Sequence, residues 1–239
     1  MGQTQTENNK RKDNLVDHAM DRIIDFIKKN QLKVGNKLPS ESYFIELLNV
    51  SRTVVREAFK SLNAMSIIKM SAGKKAEVGE FDDYVIGIML SHALRTEQIN
   101  VQQIWDARRA IEIRTAELAA IHHTEQQANQ ITTIVKNMRL NVSNLEQMTK
   151  YDIEFHKLIA QASKNPILPV LVGSLSNAIN ETNPVLWRVR TTKEQQSSVV
   201  KLHETIADAI IKSDPDAAKQ AMEDHFDNAS AWLLKAGFN

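Results

Sequence analysis

The sequence contains no cysteine, which excludes disulfides and thiol chemistry and leaves histidine and carboxylate side chains to bind any metal ion. Glycine occurs 7 times and proline 5 times, and aromatic residues make up 5% of the chain, so few positions interrupt helices. No apolar run approaches the ~18 residues that a membrane span requires. The charged N-terminus is not followed by the apolar segment of a secretory signal. We therefore expect a helix-rich cytoplasmic protein without membrane contact.

The charge of the chain is unevenly distributed, although its net value is only +1 and its composition is that of a globular protein. Residues 1–79 contain 14 lysines and arginines against 9 acidic residues, whereas residues 80–239 contain 16 against 20. A basic segment followed by an acidic one is typical of a nucleic-acid-binding domain joined to a domain of another function. A fluctuation among solvated charges is the alternative.

The first third of the chain has the element order of a winged helix-turn-helix. Apolar residues at helical spacing predict helices over Leu15–Lys29, after Ser40 and after Ser51, where each serine is a good N-cap. Two short apolar runs around Gly73 then predict a small β-hairpin. We place this domain at residues 14–79.

The rest of the chain shows only helical patterns. Candidate helices follow one another toward the C-terminus, and one of them spans residues 167–189. Asp214 followed by Pro215 is a clear start signal, because aspartate caps a helix and proline fits its first position. Six or seven antiparallel helices of this kind would form a bundle.

These observations predict a mainly α fold with two domains. The winged helix-turn-helix at residues 14–79 is followed by an antiparallel helical bundle at residues 80–239. Residues 1–13 are polar, and we expect them to form a disordered tail.

The third helix carries side chains suited to the major groove of DNA. Its first turns present Arg52, Thr53 and Arg56 away from the apolar face. Arginine recognises guanine through two parallel hydrogen bonds, and the hydroxyl groups of Ser51 and Thr53 suit phosphate or base contacts. For two isolated arginines, simple solvation on a helix surface is the alternative.

The local sequence around this helix strongly resembles the GntR family of bacterial regulators. The resemblance covers about residues 15–78 and is carried by Leu38–Glu41 (LPSE) and by Val50–Ala58 (VSRTVVREA). A motif of this length and specificity does not arise by chance. The resemblance implies DNA contacts from the start of the helix and from the wing tip, the latter in the minor groove, at Ser51, Arg52, Thr53, Arg56, Gly73 and Lys74.

Two positions depart from the family pattern. The family usually has arginine directly after the Pro-Ser-Glu segment, where this chain has Ser42. It commonly has a second glycine in the wing, where this chain has Lys75. We expect the first departure to alter sequence preference, because that arginine often contacts DNA. The second should make the wing less tightly turned or more dependent on charge.

Three of the seven histidines are placed with a carboxylate in a way that suits a metal ion. Asp152 and His156 are four residues apart and share a helix face, while His203 and His225 lie on two later helices. A bundle could bring all four together, and imidazole with carboxylate suits zinc or nickel and, less well, manganese. From spacing alone, the alternative is a set of buried histidines without a metal. The other four histidines have no helix-spaced partner that indicates a site.

The second domain resembles the FCD domain, the helical effector module of the FadR-type branch of GntR regulators. The matching stretches are Trp105–Glu112, Ala116–Ala120, Asp152–His156, His203–Ile210 and Asp216–His225. The resemblance implies a divalent metal, most aptly zinc and otherwise nickel or manganese, with the ligands Asp152, His156, His203 and His225.

The same resemblance implies an effector cavity beside the metal. Arg108 would face this cavity and pair with an organic carboxylate through its guanidinium group. The alternative for Arg108 is a salt bridge to Glu112, four residues later on its own helix. Asn177 is a weaker candidate for the cavity wall.

The resulting hypothesis is a ligand-controlled transcription factor, most simply a repressor. A homodimer would bind a palindromic operator in double-stranded DNA, with one winged helix in each half-site. A small carboxylate bound beside the metal would shift the arrangement of the two DNA-binding heads.

Three alternatives stay open from the sequence. The regulator could bind an acyl chain or carry no metal, the bundle could serve protein interaction alone, or it could be a metal-dependent hydrolase. A pocket for an acyl chain should be lined by apolar residues. The aspartate and three histidines are polar and therefore argue against such a pocket. The hydrolase would need an HExxH-type pairing of ligands with a general base, which the sequence lacks, so we expect no enzyme activity.

Overall fold

The computed structural model describes the backbone of residues 2–178, 180 and 183–238, and the side chains of residues 15–178, 180 and 186–238. The chain divides into two compact units, one ending at Val85 and the other beginning at Ile86. The sequence places the boundary a few residues earlier, after residue 79.

The first unit is a winged helix-turn-helix, as the sequence predicts. It contains α1 (Gly2–Lys29), α2 (Glu41–Leu48), α3 (Arg52–Ala64), β1 (Ile68–Lys69) and β2 (Glu77–Val78). The two strands pair antiparallel, with Ile68 opposite Val78, and Lys37 adds a single bridge to Glu77. The segment before α2 therefore extends the small sheet of the wing.

The first helix begins much earlier than the sequence predicts. The backbone of residues 2–13 belongs to α1, where we expected a disordered tail. No proline or glycine occurs from residue 3 to residue 29, and glutamine, glutamate, lysine and arginine are good helix formers. The helix therefore continues N-terminally past Asp13 and Asn14, although both are residue types that can cap a helix.

Caps and apolar spacing position the helix-turn-helix. The side chain of Ser40 accepts a hydrogen bond from the backbone N–H of Tyr43, and that of Ser51 accepts one from Val54 at 3.3 Å. Asn49 follows α2 in the left-handed conformation, with a φ of 50°. One face of α3 is buried, which leaves the opposite face in solvent; the buried residues are Val54, Val55, Ala58, Phe59 and Leu62.

Two glycines determine the shape of the wing. Gly73, in the turn between the strands, has a φ of 71°, a region that residues with a side chain rarely adopt. Gly79 follows β2, and a Cβ atom there would lie 2.0 Å from the carbonyl oxygen of Ser66. The backbone angle requires the first glycine, and a close approach of two backbone segments requires the second.

The rest of the described chain is helical and forms the second unit from Ile86 onward. Its helices are α4 (Tyr84–Arg95), α5 (Val101–His122), α6 (Glu125–Leu140), α7 (Leu145–Ala162), α8 (Ile167–Ala178), α9 (Asn183–Arg188), α10 (Lys193–Ile211) and α11 (Pro215–Lys235). The start of α11 agrees with its sequence signal, since Asp214 accepts a hydrogen bond from the backbone N–H of Ala217 at 3.0 Å. Residues 167–189, predicted as one helix, contain both α8 and α9. No helix in the described part of the chain is long and apolar enough to cross a membrane.

Helix α5 is central to the second unit, because it packs against α7, α10 and α11. Its buried residues include Trp105, Ala116 and Ala119, and also the charged residues Arg108 and Glu112. Arginine and glutamate are almost never fully buried unless they are paired. The pair therefore marks a polar region inside an otherwise apolar core.

Candidate metal centre and DNA-binding surface

Three helices of the second unit bring four possible metal ligands together. Asp152 and His156 lie on α7. His203 lies on α10 and His225 on α11, and the ligand atoms of all four residues lie within 4.8 Å of one another. The three imidazoles are buried, while the Asp152 side chain is 23% exposed. These are the four residues that the sequence singles out for this role.

His203 has an oxygen atom close to each of its ring nitrogens. Its Nδ1 lies 2.8 Å from the carbonyl oxygen of Val199, and its Nε2 lies 3.1 Å from Oδ1 of Asp152. A neutral imidazole has one N–H, so one of these nitrogens turns a lone pair toward an oxygen lone pair. A second proton, or a metal ion at Nε2, removes this repulsion.

His156 faces carboxylates on both sides. Its Nδ1 lies 2.5 Å from Oε2 of Glu112, and its Nε2 lies 3.8 Å from Oδ1 of Asp152. Nε2 is buried and has no hydrogen-bond partner among the described residues. In many metal sites a carboxylate behind a histidine ligand orients the ring. Glu112 takes that position here, a role that its spacing from Arg108 did not indicate.

The surroundings of His225 favour its neutral form. Burial, and then the charges of His203 and His156, lower the pKa of His225 well below its ordinary value. Its Nδ1 is buried and lacks a hydrogen-bond partner within the described part of the chain. Neutral imidazole is the form of histidine that binds a metal.

The carboxylates of Asp152 and of its neighbour Glu112 are both ionised at neutral pH. Burial alone would raise the pKa of Asp152, but the contact with His203 and the charge of His156 hold it well below its usual range. Burial also opposes the ionisation of Glu112, and the charges of Arg108 and His156 hold its pKa below the ordinary value. The cluster therefore offers carboxylate oxygens in the form that a cation requires.

This set of donors fits a divalent transition metal. Three imidazole nitrogens and one carboxylate oxygen suit zinc or nickel better than calcium or magnesium, which prefer oxygen ligands. The buried Nε2 of His156 and Nδ1 of His225 are polar atoms without partners among the described residues. Buried polar atoms normally have a partner, so their state agrees with a site that a cation completes.

Arg108 forms the salt bridge that was the alternative to a cavity-facing position. It is 1% exposed, and its Nε lies 2.6 Å from Oε1 of Glu112. Its Cζ lies 4.9 Å from the ring centroid of Trp105 and 5.6 Å from that of Phe226. Arg108 therefore supports Glu112, which in turn contacts His156.

A small cavity of about 50 Å³ lies beside the cluster, since Asp152 and His225 both line it. Neither Arg108 nor Asn177, the two residues expected there, is among its lining residues, and Asn177 is exposed on α8. The cation that lines it is Arg190. The other lining residues are Trp105, Met148, Thr149, Leu186, Trp187, Val199 and Ala229.

Arg190 is a buried cation that no sequence pattern marks. It is 5% exposed, its Nη1 donates to the carbonyl oxygen of Leu186 at 2.8 Å, and its Cζ lies 5.2 Å from the ring centroid of Trp232. Burial lowers the pKa of Arg190 to about 10, an effect that the charge of Asp152 opposes, so the group stays charged at neutral pH. Its burial depends on helices that are far apart in the chain, which explains why a local pattern does not reveal it.

The predicted DNA-binding residues are all exposed in the first unit. Neither Arg52 nor Arg56 forms a salt bridge with another described residue, so both guanidinium groups are available. The Ser51 oxygen caps α3 by accepting the N–H of Val54, which leaves its hydroxyl proton for another partner. These predicted residues are Ser51, Arg52, Thr53, Arg56, Gly73 and Lys74, and Ser42 and Lys75, which depart from the family pattern, are exposed too.

Two family models match the chain. The model described as bacterial regulatory proteins, gntR family, matches residues 15–78, and the model described as FCD domain matches residues 103–228. The first match covers the helix-turn-helix and wing, and the second covers the helices that carry the four possible ligands.

The chain is similar to proteins named as transcriptional regulators. The HTH-type transcriptional regulator LutR of Bacillus subtilis is 33% identical over 210 residues, which cover 84% of this chain and 93% of LutR. The HTH-type transcriptional repressor NanR of Escherichia coli K12 is 26% identical over 86% of this chain and 79% of NanR. A solved GntR structure from Streptococcus agalactiae has a TM-score of 0.70 and 25% identity, covering 89% of this chain and 97% of that one.

Proposed function

Because this chain belongs to the GntR family of bacterial regulators and has an FCD domain, we propose how it controls transcription. It is a ligand-responsive DNA-binding regulator and not an enzyme. We propose that it is a repressor whose homodimer binds a palindromic operator, with one winged helix in each half-site. The name of the relative NanR as a repressor supports this direction of control.

In this proposal the N-terminal end of α3 enters the major groove. Arg52 and Arg56 bind guanine edges or phosphates from their exposed positions, and the hydroxyl groups of Ser51 and Thr53 add contacts at the helix start. In the wing, the backbone at Gly73 approaches the DNA closely, and Lys74 adds an exposed cation.

The second unit is proposed to hold a divalent metal ion, zinc in the first instance and nickel or manganese otherwise. When bound, the ion supplies a cationic centre that attracts a carboxylate group. Glu112 positions the ring of His156, and the carbonyl oxygen of Val199 positions that of His203. The ligands would be Asp152, His156, His203 and His225.

The effector in this proposal is a small organic acid that binds in the cavity beside Asp152 and His225. At about 50 Å³ the cavity is smaller than the pockets of about 300–1,000 Å³ that usually hold small ligands, so even a compact acid must widen it, and a long acyl chain would have to widen it much further. The cavity is lined from several helices, so an acid bound there favours one arrangement of those helices over another. In this proposal the arrangement that the acid favours binds the operator less tightly, so the acid lowers the affinity of the protein for the operator.

One observation carries this proposal, namely that three helices bring four donor atoms within 4.8 Å of one another. To test it, the protein is treated with a chelator and its thermal unfolding is followed by tryptophan fluorescence while zinc is added. All three tryptophans lie in the second unit, so the signal reports the unit that contains the cluster. Zinc at a hundred times its Kd should add about 2.7 kcal/mol of stability and raise the Tm by about 5–10 °C.

His203→Ala should abolish this response, whereas His92→Ala, which changes an exposed histidine, should keep it. Small carboxylates are then added to the zinc-loaded protein, and an effector should raise the Tm further. If zinc stabilises neither the native protein nor the His92→Ala control, the four residues are an ordinary polar core and the metal part of the proposal is wrong. Stabilisation by long acyl chains alone would overturn the effector part.

A further inference from the structure

We infer that Arg190, rather than Arg108, is the cation that binds the acid group of the effector. The inference rests on the proposed function, because it takes the cavity beside the four possible ligands as the effector site. It assigns the recognition of one carboxylate to Arg190 and leaves Arg108 as the structural partner of Glu112.

Arg190 is held in place, but its hydrogen-bonding capacity is not used up. Its Nη1 donates to the carbonyl oxygen of Leu186, and its own carbonyl oxygen accepts a hydrogen bond from Nε2 of Gln196 at 3.1 Å. Its Nε is nevertheless buried without a hydrogen-bond partner among the described residues, and the carboxylate whose charge acts on Arg190, that of Asp152, belongs to the proposed metal site. A buried cation without an ionic partner is costly. An anion that enters the cavity would provide that partner.

Trp105, which lines the same cavity, carries a second unused donor. Nε1 of Trp105 is buried and has no hydrogen-bond partner in the described part of the chain, although a buried indole N–H usually finds one. Trp105 and Arg190 both line the cavity. Both N–H groups are covered in this structure. Once side chains shift to expose them to the cavity, they would match the acceptor oxygens of a carboxylate, which binds charged and neutral donors together.

Arg108 is paired within the core, although its Nη1, like Nε of Arg190, is buried without a hydrogen-bond partner among the described residues. Its Nε lies 2.6 Å from Glu112, and its guanidinium group lies over the rings of Trp105 and Phe226. It is not among the residues that line the cavity. Drawing Arg108 toward an effector would break its pair with Glu112, whose other oxygen contacts His156.

The lining of the cavity defines the chemical class of the effector. Arg190 and Trp105 offer donors to one carboxylate, while Asp152 and His225 belong to the cluster that would hold the metal. A second oxygen of the effector, from a hydroxyl or another carboxylate, would be directed at that cluster. The structure thus assigns a compact hydroxy acid or dicarboxylic acid, with a short apolar body against Met148, Leu186 and Trp187.

The test compares Arg190→Gln with Arg188→Gln, which removes an exposed arginine two residues earlier. The probes are succinate, malate and gluconate, with succinamide as the neutral match of succinate, and binding is measured by the Tm of the zinc-loaded full chain. An acid that stabilises the native protein should bind Arg190→Gln about 10- to 100-fold more weakly and Arg188→Gln with unchanged affinity. Arg190→Lys, which keeps the charge but loses the planar fork, should fall between them.

Zinc alone should stabilise Arg190→Gln as much as the native protein, because Arg190 is not among the proposed ligands. Unchanged acid binding by Arg190→Gln, or the loss of its zinc response, would overturn the assignment of Arg190 and leave the proposed function standing. If Arg190→Gln does not fold, Arg190→Lys carries the same comparison. If no acid stabilises the zinc-loaded native protein, the proposed effector class itself is wrong.

Discussion

Buried polar residues in the second unit form a continuous series of contacts. Arg108 pairs with Glu112, Glu112 lies against His156, and both His156 and His203 approach Asp152. Each charge is compensated by a neighbour, because a buried ion costs several kcal/mol when it has no partner. The positions of the proposed ligands therefore depend also on Arg108 and Glu112 behind them.

Arg108→Leu should lower the free energy of unfolding by about 3–5 kcal/mol, since it leaves Glu112 buried without its closest cation. Urea unfolding followed by tryptophan fluorescence measures the loss. The matched control is Arg109→Leu, which removes an exposed pair with Asp227 and should cost less than about 1 kcal/mol. Equal losses for the two variants would mean that the buried pair contributes no more than a surface pair.

Arg52→Ala should weaken operator binding by about 1–3 kcal/mol and relax the preference at one base pair. The operator is selected from random duplexes, and affinity is measured by fluorescence anisotropy at one salt concentration, because phosphate contacts make it salt-dependent. Arg22→Ala removes an exposed arginine of α1 and should leave affinity and preference unchanged. An unchanged base preference in Arg52→Ala would exclude Arg52 from the base-reading residues.

Several helix boundaries in this chain follow local signals. Thr124, Thr192 and Asp214 each accept a hydrogen bond from the backbone N–H three residues later, and a helix begins directly after each of them. Prediction and structure diverge at the first helix. The helix predicted from Leu15 starts at Gly2 instead, so Asp13 and Asn14, residue types that often cap a helix, lie within α1 rather than at its start.

Gly79→Ala should destabilise the wing more than Gly73→Ala, although Gly73 is the residue with the positive φ. A methyl group at position 79 would lie 2.0 Å from the carbonyl oxygen of Ser66 and disturb the 2.9 Å hydrogen bond from Gly79 to Ile67. At position 73 it meets no atom within 4 Å, so only a backbone cost of about 1–2 kcal/mol remains. Thermal unfolding by circular dichroism and operator affinity measure both effects. A larger loss for Gly73→Ala would contradict this ranking.

The DNA-binding surface and the four possible metal ligands belong to different compact units of the molecule. Control of one by the other must therefore be a coupling free energy, which is typically about 1–3 kcal/mol between two sites in a protein. The coupling is reciprocal, so operator DNA must weaken effector binding by the same factor by which the effector weakens operator binding.

An acid that stabilises the zinc-loaded second unit should lower operator affinity about 5- to 150-fold. Operator titrations with and without the acid measure this factor, and acid titrations with and without operator must return the same value. His203→Ala should still bind the operator but lose the response, because its first unit is unchanged. Tighter operator binding in the presence of the acid would reverse the proposed direction of control.

Short-range features of the sequence determined the mainly α fold, the winged helix-turn-helix and the family, because apolar spacing, caps and contiguous motifs each involve residues close in the chain. They also marked Asp152, His156, His203 and His225 as a set, which the structure brings together.

Tertiary structure alone decided which polar groups meet around that set. Three features arise only where separate helices pack together. They are the contact of Glu112 with His156, the burial of the Arg108–Glu112 pair, and the position of Arg190 on the cavity wall. Burial and ion pairing depend on what lies opposite a side chain, and a local pattern carries no information about that neighbour.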